Sequence, residues 1–121
     1  MDLNQITVPC TDYDVSVEFY KKLGLRQIVH SPPRYARFET DAGTTFSLHN
    51  GRTDTSNVVI YFEVEDVDTE VERLKANGIE FESAPKDQEW LWREAYLRDP
   101  AGNRICIYHG GENRRFPAWR I

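Results

Sequence analysis

The chain carries an internal repeat, and that repeat limits its architecture more than any other feature of its 121 residues. A slide of 54 positions sets Asp12 and Asp14 on Asp66 and Asp68, Val17 on Val71, Glu18 on Glu72, Tyr20 on Leu74, Gly24 on Gly78 and Leu25 on Ile79. A slide of 59 positions then sets Arg34-Tyr-Ala-Arg-Phe38 on Arg93-Glu-Ala-Tyr-Leu97, and Asp41-Ala-Gly43 on Pro100-Ala-Gly102. Two blocks in the same order, with turn glycines in register and five extra residues in the second copy, mark one supersecondary unit used twice.

Each copy opens with an apolar alternating run, 6–8 or 58–64, followed by an acidic helix start at Asp12 or Asp66. Carboxylates in a first turn complement the helix dipole. Val15, Phe19 and Leu23 in the first helix, and Val67, Val71 and Leu74 in the second, recur at helical spacing and are expected to form the buried faces. Gly24 and Asn77-Gly78 stop the helices. Strand character follows over 26–30, 36–40 and 44–50, and again over 80–83, 94–98 and 104–109, with turns at Asp41-Ala-Gly43 and Asp99-Pro-Ala-Gly102. The repeating unit is therefore βαβββ. It occurs in one α+β domain over 1–121, with modules at about 4–52 and 57–110 and a tail at 111–121.

A length of 121 residues with 40% hydrophobic content fits one compact domain with a real core, and no separate catalytic or regulatory domain is expected within it. Fifteen basic against twenty acidic residues, a net charge of −5, argues against a nucleic-acid partner. The late arginines Arg104, Arg114, Arg115 and Arg120 read as part of a solvated tail. No apolar run reaches the roughly 18 residues of a membrane span, and the opening MDLNQITV lacks the layout of a signal peptide. Cys10 and Cys106 are too few and too far apart for a disulfide framework. A cytoplasmic protein with no membrane partner is the expectation.

Strand side chains alternate between faces, so the two sides of the sheet can be sorted. Ile6, Val8, Phe46, Leu48, Ile60, Phe62, Ile105 and Ile107 form a uniformly apolar set expected to pack under the helices. Gln5, Thr7, Thr45, Ser47, His49, Val59, Tyr61, Arg104, Cys106 and Tyr108 form a mixed set that suits a pocket lining, the alternative being an ordinary half-solvated sheet.

The segments Asp12–Leu25, DYDVSVEFYKKLGL, and Trp90–Asn103, WLWREAYLRDPAGN, resemble the vicinal oxygen chelate superfamily of glyoxalases, bleomycin-resistance proteins and dioxygenases. The second segment is especially similar to bleomycin-resistance proteins, where an aromatic stretch precedes an Arg-Asp-Pro-x-Gly-Asn turn. The resemblance implies two tandem βαβββ modules forming curled mixed sheets with helices on the outer face. It also implies a homodimer in which the first strand is exchanged in some members. Metal-using members place four ligands on the first and last strands of the two halves. The matching positions here are Gln5, Ser47, Val59 and Cys106. Gln5 is acceptable, but valine has no donor, serine is a poor ligand, and a cysteine thiolate selects other metals. The resemblance thus implies no metal or other cofactor. A divalent metal remains the alternative, with Gln5, His49 and Cys106 as its holders. His30 and His109, at strand ends, are expected in solvent.

Under the resemblance the ligand-binding residues are Gln5, Thr7, Ser47, His49, Tyr61, Trp90, Trp92, Arg104, Cys106 and Tyr108. Trp90-Leu-Trp92 would stack on a planar ligand or pack against a partner chain. Arg34 and Arg93 are expected to pair with carboxylates, and Phe116 and Trp119 to dock the tail. The function implied is sequestration of a planar or hydrophobic small molecule. The rival is a metal-dependent lyase similar to glyoxalase I. A nucleophilic Cys106 would need His49 or Arg104 beside it. An extradiol-type oxygenase lacks its histidines and glutamate, and no phosphate loop, HExxH or G-x-S-x-G motif occurs.

Overall fold

The computed structural model describes residues 2–51 and 58–121. In chain order the elements are β1 (Gln5–Cys10), α1 (Tyr13–Leu23), β2 (Arg26–Ser31), β3 (Tyr35–Glu39), β4 (Thr45–Asn50), β5 (Val59–Glu63), α2 (Val67–Ala76), β6 (Lys86–Asp87), β7 (Arg93–Arg98), β8 (Arg104–His109) and α3 (Glu112–Arg115). They build an α+β fold of two βαβββ modules. Each module forms a mixed four-stranded sheet, ordered β1-β4-β3-β2 and β5-β8-β7-β6. In both, the first strand runs parallel to the last and the other pairs are antiparallel. No described helix is long and apolar enough to cross a membrane.

The repeat survives at the level of dihedral angles. Asp12 and Asp66 both cap their helices, with φ/ψ of −129°/104° and −132°/102°, and accept from Val15 N at 3.2 Å and Thr69 N at 3.1 Å. Such caps satisfy amide donors that the first turn leaves free. The turns before β4 and β8 also match. Thr40 N donates to Thr44 O at 2.9 Å, as Asp99 N does to Asn103 O, and Gly43 and Gly102 sit at φ 84° and 89°. That left-handed conformation is the reason both copies keep glycine there.

Two compact units result: Met1–Asn57 with Asp99–Asn103, and Val58–Arg98 with Arg104–Ile121. In the first, the α1 ring of Tyr20 packs on Phe46 at 4.5 Å and Phe38 at 5.9 Å between ring centroids. In the second, Val67 and Val71 of α2 pack with Ala95 of β7, and Leu74, Leu97, Ile105 and Ile107 are buried as well.

Several sequence expectations need correction. Tyr13, Ser16, Val17, Tyr20 and Leu23 are the buried residues of α1, whereas Val15 is exposed and Phe19 half-buried. Val15 lies two residues from both Tyr13 and Val17, about 200° around the helix, so burial of Tyr13 and Val17 turns it to solvent. Ile6 is exposed and Phe62 half-buried, although Val8 and Ile60, two residues away on the same strands and the same face, are buried. The segment 80–83 is not a strand. Glu82 N donates to Tyr96 O at 2.8 Å and Ser83 Oγ accepts from Tyr96 N at 3.0 Å, but regular pairing waits until Lys86–Asp87. A serine hydroxyl substituting for backbone, followed by Pro85 with no N–H, prevents an earlier ladder.

Candidate functional site

The mixed face of the first unit is assembled by register. Thr7 lies beside Ser47 and Ser47 beside Arg37, while Gln5 lies beside Thr45 and His49 beside Tyr35. Their polar groups engage one another. Gln5 Nε2 donates to Ser47 Oγ at 2.9 Å and to Thr7 Oγ1 at 3.2 Å, and the Thr45 hydroxyl donates to Gln5 Oε1. Ser47 Oγ, fully buried, is 2.7 Å from the Tyr35 hydroxyl, which accepts from Arg37 Nε at 2.8 Å. Burial works to raise the Tyr35 pKa, but the hydrogen bonds from Ser47 and Arg37 and the guanidinium charge outweigh it and leave the phenol more acidic than usual. His49 is exposed. His30 meets the Tyr13 hydroxyl at 2.8 Å through Nδ1.

The second unit carries a different arrangement on the same side of its sheet. Tyr61, Cys106 and Tyr96 form one row, and Glu63, Tyr108 and Glu94 the next. Trp92, two residues before Glu94, stacks on Tyr108 at 4.6 Å and 28°, and Tyr61 stands edge-on to both rings at 5.9 and 5.4 Å. Tyr108 is 5% exposed and Tyr61 45%, so the trio runs from the interior to solvent.

Behind the rings lies a carboxylate that the sequence reading did not select. Glu94 is 2% exposed. Its Oε2 accepts from the Tyr96 hydroxyl at 3.3 Å and the Cys106 thiol at 3.7 Å, and its Oε1 is buried without a hydrogen-bond partner. The Arg104 guanidinium lies over the Tyr96 ring, 4.2 Å from its centroid, with Nε buried and unpartnered. Burial first, then the Glu94 carboxylate, pushes the Cys106 thiol up to about 12. The condition for a nucleophilic thiolate, His49 or Arg104 beside the sulfur, is not met: the group hydrogen-bonded to the thiol is an acid, and Cys106 stays a thiol. Alternation along β7 places Glu94 with Tyr96 on the mixed face. That alternation is the signal the sequence carries for it, while its burial is visible only in the folded chain.

The tail is held by polar groups rather than by its rings. Glu63 Oε2 accepts from the amides of Gly110 and Gly111, both at 2.8 Å, with Arg114 Nε 3.6 Å from Oε1. Trp92 Nε1 donates to Asn113 O at 3.3 Å. Gly110 passes so close that a Cβ there would lie 2.9 Å from Trp92 Nε1. Phe116 and Trp119, expected to dock the tail, are 55% and 58% exposed. Arg93 pairs with Asp68 at 2.7 Å and with Asp87 at 2.9 Å, as a structural arginine should. Its repeat counterpart Arg34 is exposed. Trp90 sits in the turn closed by Gln88 N to Trp92 O, and Leu91 beside it has φ 67°.

Of the ten residues expected to bind ligand, Gln5, Thr7, Ser47 and His49 thus belong to the first unit, and Tyr61, Trp92, Arg104, Cys106 and Tyr108 share one face of the second. Trp90 stands in the exposed turn. The positions matching a family metal centre do not fit a divalent cation. Val59 has no donor atom, Ser47 Oγ is committed to Gln5 and Tyr35, and Cys106 is a thiol. Among the described residues no group of three or more His, Cys, Asp or Glu is placed to hold a metal ion.

Comparison with known proteins gives concordant results. The model of the family described as "Glyoxalase/Bleomycin resistance protein/Dioxygenase superfamily" matches residues 2–107. The uncharacterized protein YraH of Bacillus subtilis (strain 168) is 34% identical over 126 positions, spanning 89% of this chain and 98% of its own. Among solved structures, a glyoxalase/bleomycin resistance protein/dioxygenase from Nocardioides is 28% identical with a TM-score of 0.76, over 90% of this chain and 83% of its own. A bleomycin-binding protein complexed with bleomycin shares the fold, with a TM-score of 0.75 at 19% identity over 92% of this chain and all of its own.

Proposed function

We propose that this chain, which belongs to the glyoxalase/bleomycin resistance protein/dioxygenase superfamily, sequesters a planar or hydrophobic small molecule without using a metal. The observation that carries this reading is the ring cluster of Tyr61, Trp92 and Tyr108. A stacked pair with a third, half-exposed ring at its edge offers aromatic surface that a flat molecule covers by stacking. The unfit donor set supports metal independence, and the bleomycin-binding structure is a case in which this fold holds a small molecule. Capture alone protects by mass action and asks for no reacting group.

Pairing of two copies belongs to the same reading. Ile6 on the edge strand β1 and the exposed Trp90 and Leu91 are apolar surface that a second copy would cover.

The test is calorimetric titration with a panel of planar aromatic compounds, using wild type, Trp92→Ala and Trp90→Ala. Loss of about tenfold or more in affinity is expected for Trp92→Ala, with little change for Trp90→Ala. Binding that is indifferent to Trp92 would defeat the assignment of the ring face.

A further inference from the structure

Most buried polar atoms in folded proteins have a hydrogen-bond partner, and an ionised group left without one is costly. Glu94 departs from this rule on the very face that carries the rings. One carboxylate oxygen takes two long bonds, from a phenol and a thiol, and the other takes none. The nearby cation does not relieve it, because Arg104 spends its guanidinium on the Tyr96 ring. No packing purpose is served by a carboxylate here, since an apolar side chain of similar volume would fill the site without the desolvation cost.

From this we infer that the ligand of the ring face carries an N–H donor group, an amidinium or similar planar nitrogen cation, that binds the free oxygen of Glu94 while its flat body lies against Trp92 and Tyr61. The inference rests on the proposed function and adds the chemistry of the ligand's polar end. Glu94 neighbours Tyr108 in the ladder, and Trp92 stacks on Tyr108, so ring contact and carboxylate contact fall within one planar molecule. Tyr61, next to Cys106 in the adjacent row, edge-on to Trp92 and half-exposed, borders the ring face on its solvent side. An amidinium brings a charged N–H donor to that oxygen, and charge-assisted hydrogen bonds are about twice as strong as neutral ones.

Three probes that differ only in their head group test the idea: benzamidine, benzamide and benzoate, titrated calorimetrically into the wild-type protein and into Glu94→Gln. The expected result is benzamidine binding about tenfold tighter than benzamide, the worth of a charge-assisted hydrogen bond, with benzoate weakest. In Glu94→Gln that preference should shrink to within about threefold, because glutamine keeps the shape and an acceptor oxygen but not the charge. Equal binding of all three to wild type, or a benzamidine preference that survives the substitution, overturns the inference and leaves the ring-face reading standing. Failure of all three to bind defeats both. The head-group order is read on wild type alone, so it decides even if the variant folds poorly.

Discussion

The phenol of Tyr20 in α1 donates a 2.7 Å hydrogen bond to the carboxylate of Asp99, 79 residues further along the chain, and both residues are buried. Asp99 Oδ1 also accepts from the amides of Ala101 and Asn103, and Oδ2 from Asn103 Nδ2 at 2.6 Å. Asn103 Nδ2 donates in turn to Pro9 O at 2.9 Å. The Arg-Asp-Pro-x-Gly-Asn segment is therefore a structural device: its aspartate is the fully bonded centre of a small network in the first unit. The first repeat has Thr40 and Thr44 in these places, and the second has Leu74 in place of Tyr20.

Tyr20→Phe should cost about 1.5–3 kcal/mol, the worth of a buried hydrogen bond to a charged group. Asp99→Ala, which strands four donors at once, should cost more. Urea unfolding with an unchanged m-value would show both as shifts in midpoint. The Tyr20 pKa is driven upward by burial first and then by the Asp99 charge. A raised folded-state pKa gives stability that is full below the unfolded tyrosine value and is lost as pH climbs above about 10. Tyr20→Phe should accordingly reduce the alkaline loss of stability.

Glu63 presents the opposite sign. Burial works to raise its pKa, but the Gly111 and Gly110 amides, Arg114 and His109 outweigh it and hold the carboxyl below the ordinary 4.5. Its contribution is present at neutral pH and disappears as pH falls through the lowered folded value. Glu63→Gln should cost about 1 kcal/mol at pH 7, discounted for a side chain 34% exposed, and should blunt the acid sensitivity. Amide exchange at Gly110 and Gly111 should accelerate in the same variant. Unchanged protection there would mean the tail is held by something else.

Leu91 is a leucine in the left-handed region, φ 67°, and it is 58% exposed. The conformation costs about 1–2 kcal/mol in a residue with a Cβ. Replacing it by glycine relieves that strain at some entropic cost in the unfolded chain, for a net gain of about 0.5–1 kcal/mol. A higher melting temperature for Leu91→Gly is expected. A lower one would show that the leucine side chain makes contacts worth more than the strain.

Plasma mass spectrometry after equilibration with nickel, zinc, manganese or iron(II) and then dialysis should find well under one metal per chain. Stoichiometric retention that His49→Ala abolishes would instead revive the lyase-like alternative.

The architecture was legible because repetition doubled every signal. Aspartate caps, helix-ending glycines and turn glycines recurred at fixed offsets, and matching dihedral angles at Asp12 and Asp66 follow from matching local chemistry. Burial was less legible. Val15 looked apolar enough for the core, but the aromatic Tyr13 and Tyr20 decided which way α1 faces. The site was legible by face and not by interaction. Alternation put Gln5, Ser47 and Cys106 on the mixed sides, yet it could not reveal that Gln5 and Ser47 bond to each other or that an acid sits beside Cys106. A glutamate in a strand reads as solvent-facing, so the burial of Glu94 required three dimensions.

The turn Asp99–Asn103 joins two strands of the second unit while belonging to the first. A short hairpin tip is ordinarily where a chain accepts insertions, cuts and new termini. Here the same few residues close the β7–β8 hairpin and supply the polar centre around Tyr20, so a break at Ala101 would damage both. A fragment ending before β5 would leave the buried Tyr20 hydroxyl with no acceptor at Asp99, so the first repeat borrows part of its polar core from the second.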